Sequence, residues 1–154
     1  MKSQDPNKEH LQSIINLYNK GLLQQALSES SQMLERFPNS VILYNIAGAS
    51  NAALMQFDAA IESYKKALRI QPDYADAYYN MGVALNDKGD PEAAIESYKQ
   101  ALRIQPDYAE GHSNLGAAFQ LLNQVEQAVA SYEKAISLKK DFNTAISGLG
   151  KALL

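Results

Sequence analysis

Along most of this chain, apolar residues recur at helical rather than alternating spacing. Tyr78, Met81, Gly82 and Leu85 stand at i, i+3, i+4 and i+7, which places them on one face of a helix. After a break at Lys88-Gly89-Asp90-Pro91, Ala94, Ile95, Tyr98, Ala101 and Leu102 make a second such stripe. Gly89 supplies a turn residue, and Asp90-Pro91 reads as an N-cap followed by Pro at the first helical position. The second helix is expected to stop before Pro106, because a residue preceding Pro is pushed out of the α region. The pattern therefore predicts helix, tight turn, helix, stop.

This unit recurs. Ile61 to Tyr74 reads IESYKKALRIQPDY and Ile95 to Tyr108 reads IESYKQALRIQPDY, an offset of 34 residues with Lys66 against Gln100 as the one difference. The same step links Pro38, Pro72 and Pro106, with Lys140 in the next slot. It links Ala26, Ala60, Ala94 and Ala128, and Tyr64, Tyr98 and Tyr132 with Ser30 in the first copy. Ala67, Ala101 and Ala135 follow it with Met33 first, and Gly48, Gly82, Gly116 and Gly150 form a further column. A short tail over 1–6 is expected, then units at 7–40, 41–74, 75–108 and 109–142 and a partial fifth at 143–154, all in one repeat domain over 7–154. Each unit is too small to bury its own apolar face and must stack on its neighbours. A Gly inside a helix costs about 1 kcal/mol relative to Ala. Its recurrence opposite an Ala and a Tyr column points to close helix packing.

These columns resemble the tetratricopeptide repeat family, whose 34-residue period and residue pattern they match. In the fourth unit the pattern reads His112, Leu115-Gly116, Phe119, Ala128, Tyr132 and Ala135, with Lys140 in place of the Pro. The first unit departs most, with Ser13-Ile14 for the Leu-Gly pair and Ser30 for the aromatic, as an end-capping copy should. The resemblance implies an all-α, right-handed α-solenoid working as a protein-interaction module. Its first helices would line a concave groove and its second helices the outer wall.

Composition narrows the partners. A net charge of −3, with cations interleaved among acids as in Glu62-Lys65-Lys66-Arg69, argues against nucleic acid, which needs a basic face. With no Cys there is no disulfide, thiolate nucleophile or Cys-based zinc site, which fits a reducing, cytoplasmic setting. Met1 to Pro6 lacks an apolar stretch, so no signal peptide is expected, and no run is long enough to span a bilayer.

Candidate chemistry is sparse. His112 falls in the column of Tyr44 and Tyr78 and is expected to pack between helices. Asp76 and Glu110, one period apart, suit the first turn of a helix and need no acid–base role. No phosphate loop, nucleophile elbow or metal-ligand spacing occurs, so no catalysis, cofactor or metal is expected.

The resemblance instead directs attention to positions off the packing stripe of each first helix. These are Asn45 and Ala49, then Tyr79, Asn80, Val83 and Asn86, then Ser113, Asn114, Ala117 and Gln120. Relatives that hold chaperone tails clamp a carboxylate with Lys, Arg and Asn. The first helices here carry Asp76, Asp87 and Glu110 instead, with Lys88 only at a helix end, so that clamp is not expected. The repeat region of O-linked N-acetylglucosamine transferases carries a ladder of asparagines. Asn80 and Asn114 lie one period apart, and Asn45 precedes Asn80 by 35. A carboxamide donates and accepts, so it can pair with a peptide backbone whatever the side chains. An extended peptide or partner segment is the expected ligand. Two alternatives stand beside it: the repeats regulate an attached transferase, or the chain self-assembles. In the partial fifth unit Ile146 and Leu149 are expected to face the preceding repeat, with Leu153 and Leu154 extending an apolar tip, so a homo-oligomer can form there.

Overall fold

The structure, a computed structural model, describes residues 3–154. Met1 and Lys2, the first residues of the expected tail, lie outside the described residues. Among the described residues there are nine α-helices and no strand: α1 (Lys8–Asn19), α2 (Leu23–Arg36), α3 (Val41–Ala53), α4 (Phe57–Ile70), α5 (Ala75–Lys88), α6 (Pro91–Ile104), α7 (Ala109–Leu121), α8 (Val125–Leu138) and α9 (Asn143–Ala152).

The turns inside the helix pairs share one device. Gly21, Met55, Gly89 and Asn123 stand 34 residues apart, and all four have positive φ, at 76°, 62°, 97° and 56°. A left-handed residue is what lets the chain reverse in so few residues. Two units spend a glycine there and two hold a side chain in the same conformation. Only the third unit's turn also carries a side-chain cap, Asp90 accepting from the Ala93 N–H at 3.1 Å with Pro91 behind it.

The stops between pairs also repeat. The residue after each of α4 and α8 is extended, Gln71 at φ −130°, ψ 91° and Lys139 at φ −143°, ψ 93°. A backbone bond closes each turn, from Tyr74 N–H to Gln71 O at 3.3 Å and from Phe142 N–H to Lys139 O at 3.1 Å. Pro72 follows the first and Lys140 the second, so proline is not what holds the stop. At Lys139 the side chain helps: its ammonium meets Glu110 Oε1 at 3.2 Å and lies 4.8 Å from the Phe142 ring centroid.

The chain falls into two compact units, one ending at Asn80 and the other beginning at Met81, within α5. In the first, α1 packs on α2, α2 on α3 and α3 on α4, and α1 also meets α3. Ile14, Ala26 and Leu43 form a buried cluster with Leu17, Phe37 and Ile46 against it. Ile14 occupies the glycine column and Ser30 the tyrosine column, and both are buried. Bulk has moved from the second helix of the pair to the first. A Cβ on Gly48 would lie 2.5 Å from the Tyr64 ring, so the glycine admits the ring. The segment before α1 is part of this unit: Pro6 is buried, and the buried Ser40 hydroxyl donates to Asp5 Oδ1 at 2.5 Å.

In the second unit α6, α7, α8 and α9 pack in succession, and α7 also meets α9. The ring-on-glycine arrangement recurs, with added Cβ atoms falling 2.6 Å from Tyr98 at Gly82 and 3.0 Å from Tyr132 at Gly116. Ala128, Tyr132, Ala135 and Ala145 form its last buried cluster, with Leu149 and Ala152 packed against it.

Candidate functional site

The positions off the packing stripes sit on first helices by the same logic that makes the stripes. Residues turned away from the facing second helix are left on the open side. In the unit ending at Asn80, Asn45, Ala49, Tyr79 and Asn80 are all half-buried. Asn80 Nδ2 donates to Asn45 Oδ1 at 3.1 Å. The 35-residue offset is therefore no obstacle, since the two carboxamides meet directly while Ile46 holds the strict column and packs into the core. Asn45 also hydrogen-bonds the Tyr74 phenol, whose pKa is raised mainly by burial and next by nearby Asp76. Asn45 is thus held by Tyr74 as well as by Asn80, and each amide keeps spare donor or acceptor capacity.

In the unit beginning at Met81, two adjoining clefts share Asn86 and Ala117. The smaller, about 170 Å³, is lined by Val83, Asp87, Tyr98 and Asn114 besides those two. The larger, about 750 Å³, adds Gln120, Leu121 and Tyr132 with Thr144, Ser147, Gly148 and Lys151 from α9. Tyr132 donates its hydroxyl to Gln120 Oε1 at 3.0 Å. Asn86 Oδ1 is buried and accepts no hydrogen bond. Of the expected set, Ser113 departs: it is 2% exposed, turned toward the packing side and not open to a ligand. The α9 residues were not among the expected positions. Their signal is the period itself, since Gly148 stands one step beyond Asn114 in the column.

In the C-terminal helix one expected contact is missing. Ala145 is the buried residue and Leu149 packs on its cluster, whereas Ile146 is 45% exposed and does not face the preceding repeat. Gly148, not Gly150, receives a ring: a Cβ there would lie 2.5 Å from Tyr132, while Gly150 has no atom within 4 Å of such a Cβ. Leu153 is 67% exposed and Leu154 fully so.

The remaining candidate groups have ordinary duties. His112 Nε2 lies 2.8 Å from the Pro106 carbonyl and donates to it, bracing the loop before α7. The Glu110 carboxyl is held below its usual pKa, first by its backbone hydrogen bond at the start of α7 and then by Lys139. Among the described residues, no group of three or more His, Cys, Asp or Glu is placed to hold a metal ion. Nor is any helix long and apolar enough to cross a membrane.

Comparison with known proteins places this arrangement. The TPR repeat pattern matches residues 53–89 and 84–123, and the tetratricopeptide repeat pattern matches 109–142. A probable UDP-N-acetylglucosamine–peptide N-acetylglucosaminyltransferase, SEC, of Arabidopsis thaliana is 37% identical over 76 residues, which are 49% of this chain but 8% of that protein. The crystal structure of MamA is 28% identical and superposes with a TM-score of 0.82 over 89% of this chain and 80% of that one. YrrB, described as a TPR protein with an unusual peptide-binding site, is 18% identical with a TM-score of 0.77 over 97% and 76% of the two chains. The matched repeats, the glycine–tyrosine columns and the shared helix order agree: this chain belongs to the tetratricopeptide repeat family and has its all-α solenoid fold.

Proposed function

We propose that the chain binds an extended peptide segment of a protein partner along the open side of its first helices. Asn45, Tyr79, Asn80, Val83, Asn86, Asn114, Ala117 and Gln120 supply the contacts, with Ala49 leaving room for the backbone. The observation that carries this reading is the Asn45–Asn80 pair, two positioned carboxamides 3.1 Å apart on the open face of successive first helices. Clefts beside Asn86 and Asn114 support it, as does the peptide site named for the fold relative YrrB. The contacts are mostly neutral hydrogen bonds, so affinity should depend weakly on salt. Peptides enriched from a random display library would be titrated by calorimetry against the native chain and the Asn80→Ala/Asn114→Ala double variant. The double variant should bind at least fivefold more weakly. Unchanged affinity removes the groove assignment.

A second reading is self-association through α9, favoured by the exposure of Ile146, Leu153 and Leu154 beside an uncovered Gly150. Leu149 faces the preceding repeat and packs on its core, so it is not part of that surface. Sedimentation over a hundredfold concentration range, with Leu153→Glu and Leu154→Glu as controls, decides it. A monomer throughout leaves peptide binding as the role. The resemblance to the transferase lies in repeats alone, so a regulatory place beside a catalytic domain would use this same groove.

A further inference from the structure

Resting on that groove reading, we propose that the larger cleft selects segments that carry an acidic side chain, received beside Lys151. The argument begins at Gly148. With no Cβ there, the Tyr132 ring lies against the α9 backbone, and its hydroxyl reaches Gln120. That bond takes one of the two lone pairs of Gln120 Oε1 and holds the amide in place, and its Nε2 protons can donate to a ligand. The Thr144 and Ser147 hydroxyls add two more groups able to donate, and neither is engaged by another group among the described residues. Lys151 adds the one charge among the residues that line the cleft; it is exposed, and among the described residues its ammonium is in none of the ion pairs. This is a donor-rich surface with one cation, in a chain whose net charge is −3.

Asn86 lines the same cleft, but its Oδ1 is buried and faces away from a ligand. The demand of the cleft is therefore for acceptors, and an acidic side chain carried by an extended segment meets it, its carboxylate reaching the Lys151 side while its backbone runs along the first helices. The adjoining smaller cleft carries Asp87 and no cation, so an acid is repelled there and directed to the Lys151 side.

The test uses the full chain and a random 12-residue library joined at its C-terminus to the phage coat, which withholds any free terminal carboxylate. Native chain and the Lys151→Glu and Lys151→Gln variants are selected in parallel, with helix content compared by circular dichroism. Asp or Glu should be enriched at one position on the native chain, and the preference should vanish on both variants. A selected peptide should bind the native chain about threefold more tightly than its Asn or Gln analogue, the size of an exposed ion pair. Peptides enriched without an acidic preference, or with one that survives both substitutions, overturn this proposal and leave the groove reading standing. Failure to enrich any peptide on the native chain overturns both.

Discussion

Gly82 and Tyr98 illustrate how single residues hold the repeat together. A methyl group on Gly82 would sit 2.6 Å from a ring atom of Tyr98, which is itself buried. Gly82→Ala should therefore destabilise by about 1–3 kcal/mol, the range for overpacking a core, even though Ala is the better helix former. Tyr98→Ala should cost about 3–5 kcal/mol, and Lys99→Ala, one residue on and largely exposed, within about 0.5. The informative variant combines the first two. Once the ring is gone, Gly82→Ala should become neutral or stabilising, and urea midpoints for the four members of the cycle would show that coupling. If the two costs simply add, the glycine is not there to admit the ring. The same reasoning accounts for the first repeat, where Ile14 stands in the glycine column and Ser30 in the tyrosine column. Both are buried, an exchange of large and small.

At the scale of the helix pair, the turn column is where the repeats differ most in quality. Met55 is 75% exposed and holds φ at 62°, a region that costs a side-chain-bearing residue about 1–2 kcal/mol. Met55→Gly should raise stability by about 0.5–1 kcal/mol, since glycine's greater freedom when unfolded offsets part of the gain. A lower urea midpoint for Met55→Gly would mean that the turn is held by contacts of the methionine. The helices themselves were legible in the sequence, because a 34-residue period carries apolar spacing, turn and stop from one unit to the next. Two local features were not. Lys140 breaks the proline column without moving the stop, because an extended Lys139 and the backbone bond from Phe142 make the same turn. In α9 the column places Gly150 where a ring should sit. No following helix brings a ring there among the described residues, and α9 turns Ala145 and Leu149 inward instead.

Taken whole, the molecule holds three tyrosine phenols in their neutral form by burial. Burial holds the Tyr64, Tyr74 and Tyr132 phenols above their ordinary pKa of 10.0, with Tyr18 adding to the effect at Tyr64 and Asp76 at Tyr74. A group with a raised folded-state pKa gives up its proton more readily when the chain unfolds. Stability is then independent of these tyrosines below about pH 10 and falls as pH rises past that value. Urea midpoints at pH 8 and pH 11 should differ in that direction, and Tyr64→Phe should reduce the difference. The site was less legible than the fold. Its asparagines could be read from the period, but Ser113, one period after the half-buried Tyr79, is buried, because sequence spacing does not set how far a helix rotates toward its neighbour. Ser147 and Lys151 continue the columns of Ser113 and Ala117, and Thr144 that of Glu110, but the expectation for α9 rests on its apolar residues alone. The central claim is that ligands lie on the first helices. Amide and side-chain carboxamide shifts of the isotopically labelled chain, followed while a library-selected peptide is titrated in, test it most directly. The predicted result is perturbation concentrated at Asn45, Asn80, Asn86 and Asn114, with the second helices unmoved. Shifts confined to α4, α6 and α8, or to Ile146, Leu153 and Leu154, would contradict it.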